Sequence, residues 1–447
     1  MRNTKRLVRL TVAVALVIGF AARGQDAAAP VSPADAQRNA DAIAKQVAEI
    51  RGLPFKRPVA VETQNPQQFG DYVRSRLDEA VPPAIRRHYG KIVRTLGLYR
   101  GPEIEDFSGM MTSVMTSQAG AYYDPKKQRF YMLMARMPEL MQGVLYSHEL
   151  YHALQDQHFN LTRYLEFDRR RTLGSDELLA RSAVVEGEAT YVMTLWTLQR
   201  TMGLIPPREL QAQVINLQTS MSLDQMRAMI EQQPQVAQQL GDDLRDAMKA
   251  AQSIPPFILD EMVGAYLKGM AFIFAIQGQG WSTVEKLYGD RPARSSEQIL
   301  HPEKWLAGEN PVAFDWPDFA AVAPLRNWEL LDSDVLGEFR WRTIFRENGA
   351  ADAAERVAAG WGGDRYAVFK RKDSDATLLL LRTTWDTPAD ATDFAESYRR
   401  LLTVKYADKA TPTRVVQEGQ DVLIVEGGDA AALDALIGVT RQARKRS

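Results

Sequence analysis

The sequence predicts an α+β protein in two parts: a mainly helical part with a small β-sheet or hairpin, then a smaller α+β part. Apolar residues recur at helical spacing through most of the first three quarters of the chain, interrupted by one pair of strand-like segments. After about residue 326, several strand-like segments alternate with helical ones. With 447 residues, 45% of them hydrophobic and 25% charged, the chain is long enough for two or three domains.

The pattern divides the chain into four segments with different expected roles. A leader comes first, and a strand and helix region that is a linker or propeptide-like segment follows it. The mainly helical domain and the C-terminal α+β domain complete the chain. A propeptide-like segment would make the full-length chain latent, an alternative that the sequence leaves open. The expected boundaries are residues 1–24, 25–80, 81–325 and 326–447.

The first segment has the order of a secretory signal peptide. Arg2, Lys5, Arg6 and Arg9 precede an apolar run at residues 10–22, and small residues follow it. The run is too short to span a bilayer comfortably. The sequence therefore predicts export to the periplasm or the medium, with no stable membrane insertion once the leader is removed. An uncleaved N-terminal anchor is the alternative.

Charge and cysteine content exclude several classes of function. The formal net charge of −1 provides no overall attraction to nucleic acid or to an anionic membrane. The sequence has no cysteine, which excludes disulfides, a thiol nucleophile and thiolate metal sites. An exported protein of this kind depends on its hydrophobic core for stability.

Periodicity and turn residues predict the elements of the first part. Residues 110–134 form a hairpin in this interpretation, with strands at 114–123 and 129–133 and a turn at 124–127. Two or three polar helices at 208–253 are expected to form a lid or wall over a cleft. A strand is expected at 54–62, and helices at 35–50, 66–77, 82–96, 138–158, from Ser175 onward and at 256–278.

The C-terminal part combines β-prone runs with two amphipathic ones. The Gly-rich run at 360–364 is typical of a turn between strands. Strands are expected at 341–345, 366–370, 377–383 and 422–426, and helices at 387–404 and 430–444.

His148 and His152 flank Glu149 in an H-E-x-x-H motif within the predicted helix at 138–158. Residues four apart lie about 40° apart around a helix axis, so two imidazoles can bind one ion. Glu149 lies about 100° from His148, where its carboxylate can reach a water bound to that ion. Two surface histidines are the alternative, but the apolar residues of this helix predict burial, where unpaired histidines would be costly. The motif predicts a zinc site with Glu149 as general base.

Two residues compete for the role of third ligand. His158 follows His152 at the metzincin spacing, H-E-x-x-H-x-x-G-x-x-H, but Gln155 occupies the glycine position. If the helix continues, His158 points about 240° away from His152. Glu186, on the later helix and 34 residues beyond His152, has small neighbours that permit a close helix approach. A buried ion pair with Arg181 is the alternative explanation of Glu186.

The two motifs together resemble the gluzincins, zincin metallopeptidases with H-E-x-x-H and a glutamate on a later helix. The run Val185-Glu-Gly-Glu-Ala189 is similar to the E-G-x-A run of some aminopeptidases and bacterial collagenases. The resemblance implies that Glu186 is the ligand and Glu188 its neighbour. Thr190 occupies the position where thermolysin-like enzymes carry an Asp that orients a ligand histidine, which leaves Asp156 as the nearest candidate for that role.

A narrower resemblance covers most of the chain after about residue 45. The runs at 148–157, 185–190, 296–302 and 360–365 are similar to a group of exported bacterial proteins that are described only as candidate zinc-dependent peptidases. This resemblance implies a zincin-like domain followed by a second domain, and it implies no particular substrate.

Two further features have weaker signals. An oxyanion stabiliser is expected opposite the metal, with Tyr266 and His301 as candidates. A core tyrosine and a histidine that braces a turn are the alternatives. In zincins an edge strand before the metal helix pairs with extended substrate, and residues 119–123 are the candidate for that strand; an ordinary structural hairpin is the alternative.

The expected function is zinc-dependent hydrolysis of peptide bonds in exported or envelope proteins or peptides. The substrate is a peptide or protein and no nucleic acid partner is expected; the oligomeric state stays open. The alternative is a non-enzymatic envelope protein with a structural zinc site, in which the C-terminal domain has a binding role. The presence of Glu149 favours the enzyme, because a structural site does not need that carboxylate.

Overall fold

The structure is a computed structural model, and it describes residues 32–133, 139–166, 173–220, 254–407 and 410–446. Within these residues the chain is an α+β protein, as the sequence predicts. The predicted leader and residues 221–253 of the predicted lid lie outside the described residues. In the part that is described, no helix is both long and apolar enough to cross a membrane.

The first part of the chain is mainly helical, and polar residues fix where several helices begin. Ser32, Asn65 and Asp106 each accept a hydrogen bond from a backbone N–H three residues on. The predicted helices at 35–50, 66–77, 82–96, 138–158 and 256–278 are confirmed. The helices are α1 (Pro33–Arg51), α2 (Pro66–Ala80), α3 (Pro83–Leu96), α4 (Phe107–Gln118), α5 (Glu139–Phe159), α6 (Leu161–Tyr164), α7 (Ser175–Met202), α8 (Arg208–Ser220), α9 (Pro256–Gln277), α10 (Trp281–Glu285), α11 (Ser296–Leu300) and α12 (Pro302–Ala307).

A small sheet lies against this helical part. Its strands are β1 (Ala60–Thr63), β2 (Ala121–Asp124) and β3 (Arg129–Met132). β3 is central, parallel to β1 and antiparallel to β2, so β2 is an edge strand. The predicted hairpin is therefore confirmed, whereas the predicted strands at 54–62 and 114–123 are too long at their N-terminal ends.

The error at 114–123 has a physical reason. The carboxylate of Asp106 accepts a hydrogen bond from the N–H of Gly109 and starts α4. Met111, Val114 and Met115 then share the buried face of this helix at i, i+3 and i+4. The β-branched and aromatic residues of the run suggest a strand, but helical spacing of the buried ones decides the structure up to Gln118.

α7 and α9 approach each other so closely that their backbones are in contact. A β-carbon built on Gly187 would lie 2.1 Å from the carbonyl carbon of Gly269, and one on Gly269 would lie 2.0 Å from the carbonyl oxygen of Ala183. Only glycine at both positions allows this approach. α5 packs against the same α7, and α1 packs against both α5 and α7. Glu186, the residue before Gly187, therefore lies on a helix whose backbone is in direct contact with α9.

The second part is built on a five-stranded antiparallel sheet in the order β5-β6-β7-β9-β8. A short pair, β4 with β10, lies beside it. The predicted strands at 366–370, 377–383 and 422–426 and the helix at 387–404 are confirmed. The elements are β4 (Ala313–Asp315), β5 (Trp328–Asp332), α13 (Gly337–Glu347), α14 (Ala354–Ala358), β6 (Trp361–Arg371), β7 (Thr377–Trp385), α15 (Pro388–Lys405), β8 (Thr413–Glu418), β9 (Asp421–Gly427), α16 (Leu433–Arg441) and β10 (Arg444–Arg446).

Three expectations for the second part are wrong. Residues 341–345 lie in helix α13 and not in a strand, because the carboxylate of Asp364 accepts hydrogen bonds from the N–H groups of Leu336 and Gly337 at the helix start. The predicted turn at 360–364 belongs mostly to β6, where the register shifts between Trp361 and Gly363. The expected helix at 430–444 is confirmed for residues 433–441, but its expected end is wrong because β10 begins at Arg444.

The two parts are joined at the N-terminus of α7. The carboxylate of Asp334 accepts a hydrogen bond from the N–H of Ser175 at 3.1 Å, and the Ser175 hydroxyl donates to the carbonyl of Val335. Arg340 of α13 donates to the Ser175 hydroxyl and pairs with Glu261 of α9 at 2.6 Å. The C-terminal part therefore holds both helices of the glycine contact.

Candidate metal centre

Three ligand atoms from α5 and α7 converge on one point. The Nε2 atoms of His148 and His152 lie 3.0 Å apart, and each lies 3.3 Å from Oε2 of Glu186. The helical spacing of the two histidines brings their rings together, and the close packing behind α7 sets Glu186 against them. Of the two residues that compete as third ligand, the structure brings Glu186 to the histidines.

The geometry and charge of this cluster fit a zinc ion. Tetrahedral zinc with bonds of about 2.0–2.1 Å separates its ligand atoms by about 3.3–3.4 Å, close to the distances above. The three side chains are 1%, 1% and 2% exposed, so the carboxylate charge of Glu186 lies away from water. A buried anion of this kind requires a nearby positive charge, which a divalent cation supplies.

The pKa shifts of the three side chains also indicate that this cluster needs a positive charge. Burial lowers the pKa of His148 below its ordinary value. Burial also opposes charge on His152, but the Glu186 carboxylate outweighs it and raises the pKa of His152 to about 9. Burial would raise the pKa of Glu186, yet the charge of His152 and hydrogen bonds from both rings lower it to about 2. Without a metal, the cluster therefore keeps a proton that a cation would replace.

Glu149 lies on the same helix and is fully buried. Its Oε2 accepts a hydrogen bond of 2.7 Å from the N–H of Tyr123, while its Oε1 has no hydrogen-bond partner among the described residues. Burial raises the pKa of Glu149 to about 8. The strand β2 thus fixes one oxygen of this carboxylate, while the other has no partner among the described residues.

The edge strand β2 lies directly against α5, the helix that carries His148 and His152. The N–H of Tyr123 that reaches Glu149 belongs to the edge of β2 that does not pair with β3. The Tyr123 hydroxyl donates a hydrogen bond of 3.0 Å to the carboxylate of Asp156 on α5. The candidate substrate strand at 119–123 is thus beside Glu149, and it is buried in the described structure.

Of the other candidate residues from the sequence, one lies at the cluster and two lie away from it. The ring of Tyr266 stacks on that of His148, with centroids 5.6 Å apart and planes 21° apart. His158 instead lies on the exposed side of α5, where its Nε2 contacts the carbonyl of Pro54. His301 contacts Glu338 of α13 at 3.1 Å and joins the two parts of the chain. Tyr266 is therefore the candidate that lies at the site.

Two expected neighbours have other partners. Asp156 accepts hydrogen bonds from Tyr123 and from the N–H of Leu161, so it does not orient His148. Arg181 pairs with Glu177 at 2.6 Å, which removes it as the partner of Glu186. The Nδ1 atom of His148 has no hydrogen-bond partner among the described residues.

A group behind His152 was not singled out in the sequence. Gln155, Glu188, Arg51 and Tyr288 form a continuous hydrogen-bonded group that begins at the His152 ring. In the sequence, Gln155 is considered only as the residue that occupies the glycine position of the metzincin pattern. Because it lies one turn from His152 on the same helix face, its spacing also indicates that the two side chains can be in contact.

Comparison with known proteins gives one match. A domain of unknown function, DUF8575, matches residues 328–437, which run from β5 into α16. No curated protein and no solved structure matches the chain. The match begins close to the predicted domain boundary at residue 326. It does not include His148, His152 or Glu186.

Proposed function

We propose that this chain is an exported zinc metallopeptidase with a zincin-like helical domain of gluzincin type. The observation that carries the proposal is the convergence of the two Nε2 atoms and Glu186 Oε2 within 3.3 Å, beside an acid with one unpartnered oxygen. A site that only held metal would not need that acid. Peptide hydrolysis is the reaction class that this set of residues performs in known zincin sites.

Each residue has a role in this proposal. His148, His152 and Glu186 would hold the zinc, which supplies Lewis acidity for a carbonyl and lowers the pKa of water to about 7. Glu149 accepts a proton from the attacking water on its unpartnered Oε1 and then donates it to the leaving amine. Its contact with Tyr123 keeps the carboxylate in that orientation. Tyr266, stacked on His148, is the candidate that donates to the developing oxyanion.

The strand β2 would supply the substrate contact. An extended peptide beside it would form main-chain hydrogen bonds and bring its scissile bond to Glu149. In the described structure the strand and the metal-binding side chains are almost fully buried. Substrate binding therefore requires displacement of the residues that cover the site.

A second function is favoured by that same burial. Structural zinc sites are closed, whereas catalytic ones keep an open position. Exposures of 1%, 1% and 2% for the three ligands suit a closed site in a non-enzymatic envelope protein. In that case the C-terminal part would carry a binding role.

Metal content and cleavage of a peptide library separate the two functions. The full chain is purified with and without Glu149→Gln, which keeps the shape of the side chain and removes its basic oxygen. For the enzyme we expect one zinc per chain in both proteins and cleavage in the wild type alone. Zinc in both proteins with no cleavage in either would favour the structural site, and a wild type that binds no zinc would overturn both functions.

Export has its own measurement. We expect a bacterial cell that expresses the full chain to release a periplasmic or extracellular form shortened by about the length of the leader. A full-length product that stays in the membrane fraction would favour the uncleaved anchor.

A further inference from the structure

Gln155 lies one helical turn beyond His152 on α5 and is 1% exposed. Its Oε1 lies 2.8 Å from Nδ1 of His152. Its Nε2 lies 3.1 Å from the carboxylate of Glu188, 3.1 Å from the carbonyl of Val185 and 2.7 Å from the hydroxyl of Tyr288. We infer that Gln155 is a positioning residue that fixes the tautomer of His152 and holds its Nε2 lone pair toward the metal.

The neighbours of Gln155 determine which way its amide points. A backbone carbonyl only accepts hydrogen bonds, so the group of Gln155 that lies 3.1 Å from the carbonyl of Val185 must be the NH₂ group. The amide oxygen therefore faces His152 and can only accept. His152 must donate from Nδ1, and a neutral imidazole that carries its proton on Nδ1 has its lone pair on Nε2. In the metal-bound state this lone pair would face the point between Glu186 and His148 where the ion lies.

Both oxygens of Glu188 face hydrogen-bond donors in this position. Arg51, the last residue of α1, donates to Oε1 of Glu188 at 3.0 Å, and both side chains are almost fully buried. The hydroxyl of Tyr288 donates to Oε2 of Glu188 at 2.6 Å. These two donors fix the position of the Glu188 carboxylate, which in turn accepts a hydrogen bond from the Gln155 amide.

The two histidines differ in this respect. Nδ1 of His152 is held through Gln155, whereas Nδ1 of His148 has no partner among the described residues. Partners that orient a ligand histidine typically contribute 10–100-fold to metal affinity. The orienting contribution at this site therefore comes through His152, from a residue that lies outside the H-E-x-x-H motif.

The inference rests on the zinc site proposed above, and the matched variants Gln155→Met and Gln157→Met test it. Gln157 lies two residues further along α5, is also buried, and uses its amide to bind the backbone of Lys56 and Arg57. The two substitutions remove the same amide from the same helix, but only one touches a ligand. Zinc affinity is measured for the full chain by competition with a chelator, beside urea unfolding of each protein.

We expect zinc affinity to fall 10–100-fold in Gln155→Met and to change less than threefold in Gln157→Met. In the NMR spectrum of the zinc-loaded chain with ¹⁵N-labelled histidine, the Nδ1–H of His152 should be present and slow to exchange in the wild type. It should be lost or exchange rapidly in Gln155→Met. Equal affinity for both variants, or a wild-type His152 protonated on Nε2, would overturn the inference while leaving the zinc site intact. A wild type that binds no zinc would overturn both.

Discussion

The glycine contact between α7 and α9 makes a quantitative prediction for Gly187→Ala. The new methyl carbon would lie 2.1, 2.5 and 2.5 Å from backbone atoms of Gly269, where ordinary contact begins near 3.4 Å. No side chain is available to rotate away, so the helices must separate by about 1 Å. Overpacking of this kind costs about 1–3 kcal/mol, and alanine returns at most about 1 kcal/mol through its higher helix propensity. A clash between backbone atoms belongs at the upper end of that range, so we expect a net loss of about 2 kcal/mol in the free energy of unfolding.

The same displacement should reach the metal, because Glu186 directly precedes Gly187. Metal ligands keep their distances within about 0.2 Å, so a shift of about 1 Å in α7 should lower zinc affinity by tenfold or more. Urea unfolding measures the first effect and chelator competition the second. Gly438→Ala is the control, because no atom lies within 4 Å of a β-carbon built there, and it should leave both quantities unchanged or slightly raise stability. Wild-type stability and zinc affinity in Gly187→Ala would refute the packing argument.

Two further predictions concern the junction of the two parts. Arg340→Ala leaves Glu261 buried without its partner and should reduce the free energy of unfolding by about 3–5 kcal/mol. The double variant Arg340→Met, Glu261→Leu should lose much less stability. Equal losses for the two proteins in urea unfolding would contradict the ion-pair argument. Burial raises the pKa of Asp176 to about 7. Between about pH 4 and 7 the folded protein therefore holds a proton on Asp176 that the unfolded chain has released. The contribution of Asp176 to the free energy of unfolding falls as pH rises through this range, by up to about 1.4 kcal/mol per pH unit. Asp176→Asn should flatten this dependence between pH 5 and 7, and an unchanged slope would show that the group does not titrate there.

The local parts of the site could be predicted from the sequence. His148, Glu149 and His152 lie within one helical turn and a half, so the geometry of a single helix determines how they face one another. Glu186 lies 34 residues beyond His152, and it is expected beside the histidines from its small neighbours and from the resemblance to the gluzincins. Only the arrangement of the three residues on α5 needs no knowledge of which elements lie side by side.

The remainder depends on contacts between distant segments. Gln155 orients His152 only because its amide contacts Glu188, 33 residues away, which Arg51 from a more distant segment holds in place. Residues 341–345 have strand-forming side chains, but the carboxylate of Asp364 starts a helix there. Tertiary contacts of this kind override local propensity, and no window of sequence contains them.

The link from Arg51 to Glu188 has a consequence for how the protein acquires its metal. The two residues are 137 positions apart, so the support for the His152 ring assembles only after the start of the chain has docked on a helix made much later in synthesis. A nascent or partly translocated chain would expose both histidines without this support and should bind zinc weakly. Zinc capture would then follow translocation, and the metal would come from the compartment where folding is completed.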